Sequence, residues 1–428
     1  MRAFDNLAER PTLAAHPLAR ARTRLAGLTG LWLALRLLTG AAAAIFAMLL
    51  PLDPTRAVGW PPDGPLGAWL HWLLVEPWVR WDVNFYVWIV ERGYRADDGT
   101  AQFHPLLAWL ATPVAWLVGS PALALLLVAS AASLALVLAF EGLARLDLDE
   151  RDARGAVLLL MFWPPAFILF APYTEGLFLL CAVGCLLWAR RRRWWLAGLA
   201  GALATLTRQQ GVFLLLPLAW ELWAARGQGS GVRDQGADRS SSLVAHRPSP
   251  IVHWASLALI PAGLLVWLVY RAVALGDLRA NLSDPQALIF SLLISPSSAK
   301  VVPVQAFLLP LHALWLALSK FARAPEVVLA IDLFFGFLFL AMTALAWRRL
   351  CASYRIYTVA IILVSFGYYT GPFYPYMGLP RHLLLAFPVF ISLAPRVRAP
   401  RARLLVVALG LAGALFLLLM YEIHGWVP

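Results

Sequence analysis

Long apolar runs separated by short polar clusters make up most of this chain. The runs occupy 28–50, 121–143, 155–171, 174–190, 251–273, 327–347, 354–371, 381–395 and 404–422. Most approach or exceed the ~18–20 residues that an α-helix needs to cross a bilayer. A tenth stretch, 194–224, is interrupted by "LTRQQG" at 206–211, and each half is short for a full crossing. Polar backbone at membrane depth is tolerated only beside protein or a water-filled cavity. The pattern therefore predicts two short helices that meet below the membrane surface.

The polar clusters between the runs set the expected topology. Basic residues gather at the N-terminus and at 145–154, 190–193 ("RRRR"), 226–247, 348–355 and 396–403. Short basic loops stay on the cytoplasmic side. Two further apolar stretches, 104–118 and 303–320, would put several clusters outside if both crossed. Reading both as interfacial helices puts every cluster inside and gives about eleven membrane helices. The first outer loop is then 52–120, with interfacial helices anchored by Trp60, Trp69, Trp72, Trp78, Trp81 and Trp88. A second outer loop is expected at 274–326. The Gly/Ser/Arg-rich stretch 226–250 reads as a flexible cytoplasmic linker. No soluble domain and no internal repeat is recognised, so 1–428 is one integral-membrane unit.

Composition supports this class. The chain is 61% hydrophobic and only 14% charged, against roughly a quarter charged in a soluble domain. Its mean hydropathy is +0.73. The net charge of +12 comes almost entirely from arginine. Topology explains those arginines better than nucleic acid does, so no nucleic-acid partner is expected. Cys181, Cys185 and Cys351 imply no disulfide framework, and the histidines are too scattered for a metal site. Arginines precede the first run, which is too long for a signal-peptide core, so it reads as an uncleaved anchor.

Four polar segments converge on the outer side: the first loop, "APYTEGLF" at 171–178, "LTRQQG", and "YYTGPFYPYMGLPRH" at 368–382. Asp82 sits among aromatics and reads either as a solvated loop acid or as a base that takes a proton from a hydroxyl. Glu175 heads a helix, where the helix dipole favours an acid, or faces a cavity as a working group. Arg208 suits phosphate recognition, with a salt bridge to Glu175 as the plainer account. Arg381 suits the same role, with snorkelling to the surface as its plainer account.

The segments "RWDVNFYVWIVERGY" (80–94), "FHPLL", "APYTEGLFLL", "RRRRWWLAGLAGALATLTRQQGVFLLLPL" and "LPRHLLLAFPVFISLA" occur in this order. As an ordered set they resemble the GT-C superfamily of integral-membrane glycosyltransferases, in particular the prokaryotic relatives of the second mannosyltransferase of GPI-anchor synthesis. The resemblance covers most of 30–420. It implies an all-α GT-C-like bundle in a prokaryotic plasma membrane, with an extracytoplasmic site. The implied donor is a polyprenyl-phosphate sugar, typically mannose, and the implied acceptor is a lipid-linked, glycan or protein hydroxyl. Transfer would invert the anomeric centre, and neither a cofactor nor a divalent metal is expected. Asp82 matches the catalytic acid, acting as base, and Arg208 and Arg381 match plausible phosphate partners. Departures from the family pattern are Gln209 where Pro is common, "FHPLLA" for the usual "FFPLYP", and Arg381-His382 for the usual Arg-Tyr pair.

The expected substrate-binding set is Glu175, Arg208, Arg381, His104, Tyr86 and Gln209, with membrane lipids around it. The rival class is a transporter or flippase for a lipid-linked or anionic substrate. Such a protein spreads charge along a whole path and often carries repeats, whereas this sequence concentrates charge near one face. A third reading is an assembly subunit without activity, which would tolerate loss of Asp82.

Overall fold

The computed structural model describes residues 17–50, 64–227, 250–276 and 305–423. Most of the expected 226–250 linker, much of the 274–326 loop and Trp60 lie outside the described residues. Helix dominates. The first half holds α1 (Pro17–Leu49), α2 (Leu66–Leu74), α3 (Asp82–Arg92), α4 (Leu106–Val118), α5 (Pro121–Ala144) and α6 (Glu150–Met161). Then come α7 (Glu175–Arg190), α8 (Trp194–Thr207), α9 (Leu215–Gly227), α10 (Pro250–Ala255) and α11 (Leu259–Tyr270). The last part holds α12 (Pro310–Arg323), α13 (Val327–Ala346), α14 (Ala352–Gly367), α15 (Leu379–Leu384), α16 (Pro388–Leu393) and α17 (Pro400–Glu422). A two-residue antiparallel pairing joins β1 (Ala306–Phe307) to β2 (Tyr368–Tyr369).

Five described helices are long and apolar enough to cross a membrane, or up to six if one bent pair counts as a span. The chain is therefore an all-α, multi-pass membrane protein. Several runs that read as single spans are broken. The run 155–171 bends by 84° between α6 and the 3-10 segment Pro164–Phe170, where two consecutive prolines lack the amide hydrogens an α-helix would use. The run 381–395 is divided between α15 and α16, and Pro388 begins the second piece.

The bundle has two chemically different ends, and α7 measures the distance between them. Glu175 is its first residue and Arg190 its last, about 22 Å apart along the axis at 1.5 Å per residue. At the Arg190 end the basic clusters come together. Arg190 pairs with Asp147 at 2.5 Å, which also accepts from the Tyr354 hydroxyl. Arg398 bonds Asp149 and Asp152, Arg403 donates to the Arg151 carbonyl, and Arg24 approaches Glu141 at 3.7 Å. For 145–154, 190–193 and 396–403 this is the grouping the charge pattern predicts, while most of the 226–247 cluster lies outside the described residues.

α5 starts at Ser120, which caps it, and finishes beside Arg145. α4 turns into α5 at Gly119 and, at 13 residues, is too short to cross. It does not lie flat, because it packs along α5 as the second arm of a hairpin. α12 starts beside Gly367, where the Leu308 amide bonds the Gly367 carbonyl, and ends near Glu326.

Close packing sets the interior. Trp163 meets Phe335, Phe339 and Phe390 at 5.4–6.0 Å, tying the α6 bend to α13 and α16. Small residues bring α8 and α11 together, as is usual where membrane helices approach closely. A Cβ on Gly263 would overlap Thr205 Oγ1 and the Ala202 carbonyl. α8 therefore cannot slide on α11, and its C-terminal end, which carries Arg208, has a fixed position.

Candidate active site

Four charged side chains from four elements meet at the end opposite the basic clusters. Asp82 is the first residue of α3 and Glu175 the first of α7. Arg208 leaves α8 in an extended conformation, and Arg381 lies on α15. The Arg381 Nη1 donates to Asp82 Oδ2 at 2.9 Å. The Arg381 Nε lies 3.8 Å from Glu175 Oε1. The same oxygen accepts from Arg208 Nη1 at 2.6 Å, and that nitrogen also donates to Thr174 Oγ1 at 2.9 Å. The sequence Asp82–Arg381–Glu175–Arg208 thus alternates in sign and sums to zero.

Burial differs along this chain of charges. The Glu175 side chain is 0% exposed, Arg381 8%, Arg208 14% and Asp82 26%. Asp82 is the member that solvent or substrate reaches most easily. Glu175 Oε2 and Arg208 Nε are buried without a hydrogen-bond partner among the described residues. A buried polar atom without a hydrogen bond is costly even when its charge is paired. The plainer account of Arg208, a salt bridge to Glu175, is correct as geometry. The plainer account of Arg381 is wrong: the side chain turns inward to Asp82 and lies 5.3 Å over the Tyr173 ring.

Asp82 owes its position to an unusual turn. Trp81 adopts φ 51° and ψ −119°, a region that costs a bulky residue on the order of 1–3 kcal/mol. The strain redirects the backbone so that α3 begins with its carboxylate over Arg381.

The other expected residues surround this centre. Tyr86, one turn along α3, is buried. Burial first, and Asp82 and Glu175 with it, hold its hydroxyl well above the usual phenol range against the pull of Arg208 and Arg381. It therefore stays protonated and acts only by hydrogen bonding. The His104 ring nitrogen Nδ1 lies 2.7 Å from the Thr205 carbonyl and the ring is 6.0 Å from Trp267. Burial, helped by Arg271 and Arg208, pulls its imidazole down to about 3, so His104 is neutral at physiological pH. Gln209 is half-buried beside Arg208 and opens the 3-10 segment Gln209–Leu214.

Three contributors escaped the sequence reading. Tyr173 underlies Arg381. Asp332, on α13, accepts the Leu379 amide at 3.0 Å and so fixes α15 two residues before Arg381. Glu422, at the end of α17, pairs with Arg80 at 3.2 Å. Asp332 and Glu422 each lie within or at the end of an apolar run, which was the available signal.

Among the described residues no group of three or more His, Cys, Asp or Glu is placed to hold a metal ion. Fold and site together define a multi-pass membrane protein with a buried, charge-balanced ion-pair centre that opens at Asp82. The chain matches no family profile, no curated protein and no solved structure.

Proposed function

We propose that this chain is an inverting glycosyltransferase of the GT-C type, with about eleven membrane helices and its site on the extracytoplasmic face of a prokaryotic plasma membrane. It moves a hexose, with mannose as the first candidate, from a polyprenyl-phosphate donor to a hydroxyl of a lipid-linked, glycan or protein acceptor. The observation that carries this reading is the contact between Asp82, the most exposed acid of the centre, and the buried guanidinium of Arg381, with Arg208 joined to it through Glu175.

The chemistry follows from that arrangement. The acceptor oxygen attacks the anomeric carbon as its proton passes to Asp82. The bond from that carbon to the phosphate oxygen breaks, and the lipid phosphate leaves with the electron pair. Charge that develops on a leaving group is where preorganised cations are most effective. Arg381 and Arg208 are two such cations, and the planar fork of a guanidinium suits the non-bridging oxygens of a phosphate. Phosphate is a competent leaving group, so no general acid is required.

Arg381 has a double task in this scheme. It holds Asp82 before the donor arrives, and the donor phosphate competes with Asp82 for it. Donor binding therefore loosens the carboxylate at the moment a base is needed.

Transfer is tested with purified protein in liposomes, radiolabelled polyprenyl-phosphate mannose and a panel of hydroxyl acceptors. Wild-type protein is expected to transfer label and Asp82→Asn to lose transfer by at least ~100-fold, the lower range for removal of a general base. Full turnover by Asp82→Asn removes the base assignment. Label carried into the liposomes with no product establishes the transporter class instead.

A further inference from the structure

We infer that Glu422, at the C-terminal end of the last described helix, is a positioning residue for Asp82 and acts on it through Arg80. The inference rests on the proposed role of Asp82 as base.

The segment Glu76–Trp81 forms a compact knot in front of α3. Its Arg80 guanidinium is buried at the centre. Nη1 donates to the Glu76 and Val79 carbonyls, each at 2.9 Å. Nη2 donates to Glu422 Oε2 at 3.2 Å. The neighbouring residue Tyr421 donates its hydroxyl to the Trp78 carbonyl at 2.9 Å. The tip of α17 thus grips the knot at two consecutive residues. A third grip comes from Tyr173, whose hydroxyl donates to the Arg80 carbonyl at 3.3 Å. That carbonyl also accepts the Val83 amide at 3.0 Å, in the first turn of α3.

The knot ends in Trp81, at φ 51°, and Asp82 follows. Strained backbone persists only where its surroundings over-determine it. Here the surroundings are the two grips of α17 and the Tyr173 ring, which also lies against Arg381. Releasing Glu422 removes the anchor of Arg80 Nη2 on α17, leaves the guanidinium held only by carbonyls of the knot itself, and lets Trp81 relax toward negative φ. Such relaxation swings Asp82 away from Arg381. The path from Glu422 to the base runs through Arg80 and the backbone of Trp81.

Two measurements on Glu422→Gln and Glu422→Ala decide the matter. The first is a double-mutant cycle with Asp82→Ala read by thermal unfolding of the full chain in detergent. Coupling through the knot makes the combined loss in melting temperature smaller than the sum of the single losses. Additive losses overturn the inference, whatever reaction the protein catalyses. The second is donor kinetics. A shift of about 1 Å at a reacting group costs on the order of 100-fold, so Glu422→Ala is expected to lower kcat by about that factor with donor KM nearly unchanged. Glu422→Gln, which keeps an acceptor for Arg80, is expected to recover most of the loss. On an Asp82→Asn background the Glu422→Ala change is expected to cost nothing further. A rise in donor KM at constant kcat, or an equal loss on both backgrounds, overturns the positioning role. Absence of transfer by the wild-type protein removes the glycosyltransferase reading and leaves the thermal cycle to judge the coupling.

Discussion

Replacing Glu175 by Gln tests the centre most directly, because one buried oxygen serves two arginines. The Glu175 side chain is 0% exposed, 2.6 Å from Arg208 and 3.8 Å from Arg381. Gln keeps an acceptor for Arg208 but removes the charge. The hydrogen bond then drops from the charged class, about 1.5–3 kcal/mol, to the neutral class, about 0.5–1.5 kcal/mol. Arg381 loses a unit charge at 3.8 Å, an attraction of roughly 4 kcal/mol at an effective dielectric of about 20. Asp82 remains to hold Arg381, which offsets part of this. The expected net loss is about 3–4 kcal/mol, at the lower end of the range for breaking a buried pair. Unfolding in detergent, followed by tryptophan fluorescence, measures it. The double variant Glu175→Leu/Arg208→Leu removes both charges and is expected to recover most of the stability while remaining inactive. Buried pairs replaced as a unit by apolar groups behave this way. Wild-type stability in Glu175→Gln, or a double variant worse than the single, refutes the ion-pair account.

His104 gives a pH signature. Its folded-state value of about 3 lies below the ordinary ~6.5 of the unfolded chain, so between those limits the unfolded state binds the extra proton. Stability is complete above pH ~6.5 and falls as pH drops toward 3, by at most ~1.4 kcal/mol per unit. His104→Gln is expected to flatten melting temperature between pH 6.5 and 4.5, and an unchanged slope counts against the burial argument. Gly263→Ala drives a methyl into Thr205 and the Ala202 carbonyl. Overpacking of this kind costs about 1–3 kcal/mol, and a melting temperature equal to wild type contradicts the close α8–α11 contact. Sidedness is read by thiol labelling, since Cys351 is exposed and Cys181 and Cys185 are buried. In intact cells an impermeant maleimide is expected to label Asp97→Cys at once and Cys351 only after permeabilisation. Labelling of both from one side breaks the proposed topology.

The sequence made some features plain and concealed others for physical reasons. Apolar length located α5, α13 and α17 closely, because a membrane span depends on little else, whereas α1 begins at Pro17, eleven residues before its apolar run. The break at Arg208 was visible because a guanidinium and two amides interrupt an oily run. The bend before Pro164 was hidden: prolines mark a break but carry no angle. The pairing Asp82–Arg381 joins residues 299 positions apart, and nothing local to either encodes it. The acid that Arg80 pairs with lies 342 positions away on the last described helix, equally out of reach of any local signal.

The two ends of the bundle use the same residue types to opposite effect. At the basic end Arg398 and Asp149 pair while 54% and 58% exposed, and exposed pairs of that sort contribute little, ~0–1 kcal/mol. At the site end Glu175, Arg381 and Arg208 are paired at 14% exposure or less. Burying those charges is costly even when they are paired, and an apolar replacement of the whole set would stabilise the fold at least as well. Stability alone therefore gives no reason for the centre. Its neutrality does supply one for a phosphate-bearing substrate: an incoming anion must displace an anion already present. Glu175 is enclosed and cannot leave. On the proposed reading Asp82, on a strained turn at 26% exposure, is the carboxylate that the donor displaces, which is the behaviour required of a base that acts only when the donor is bound.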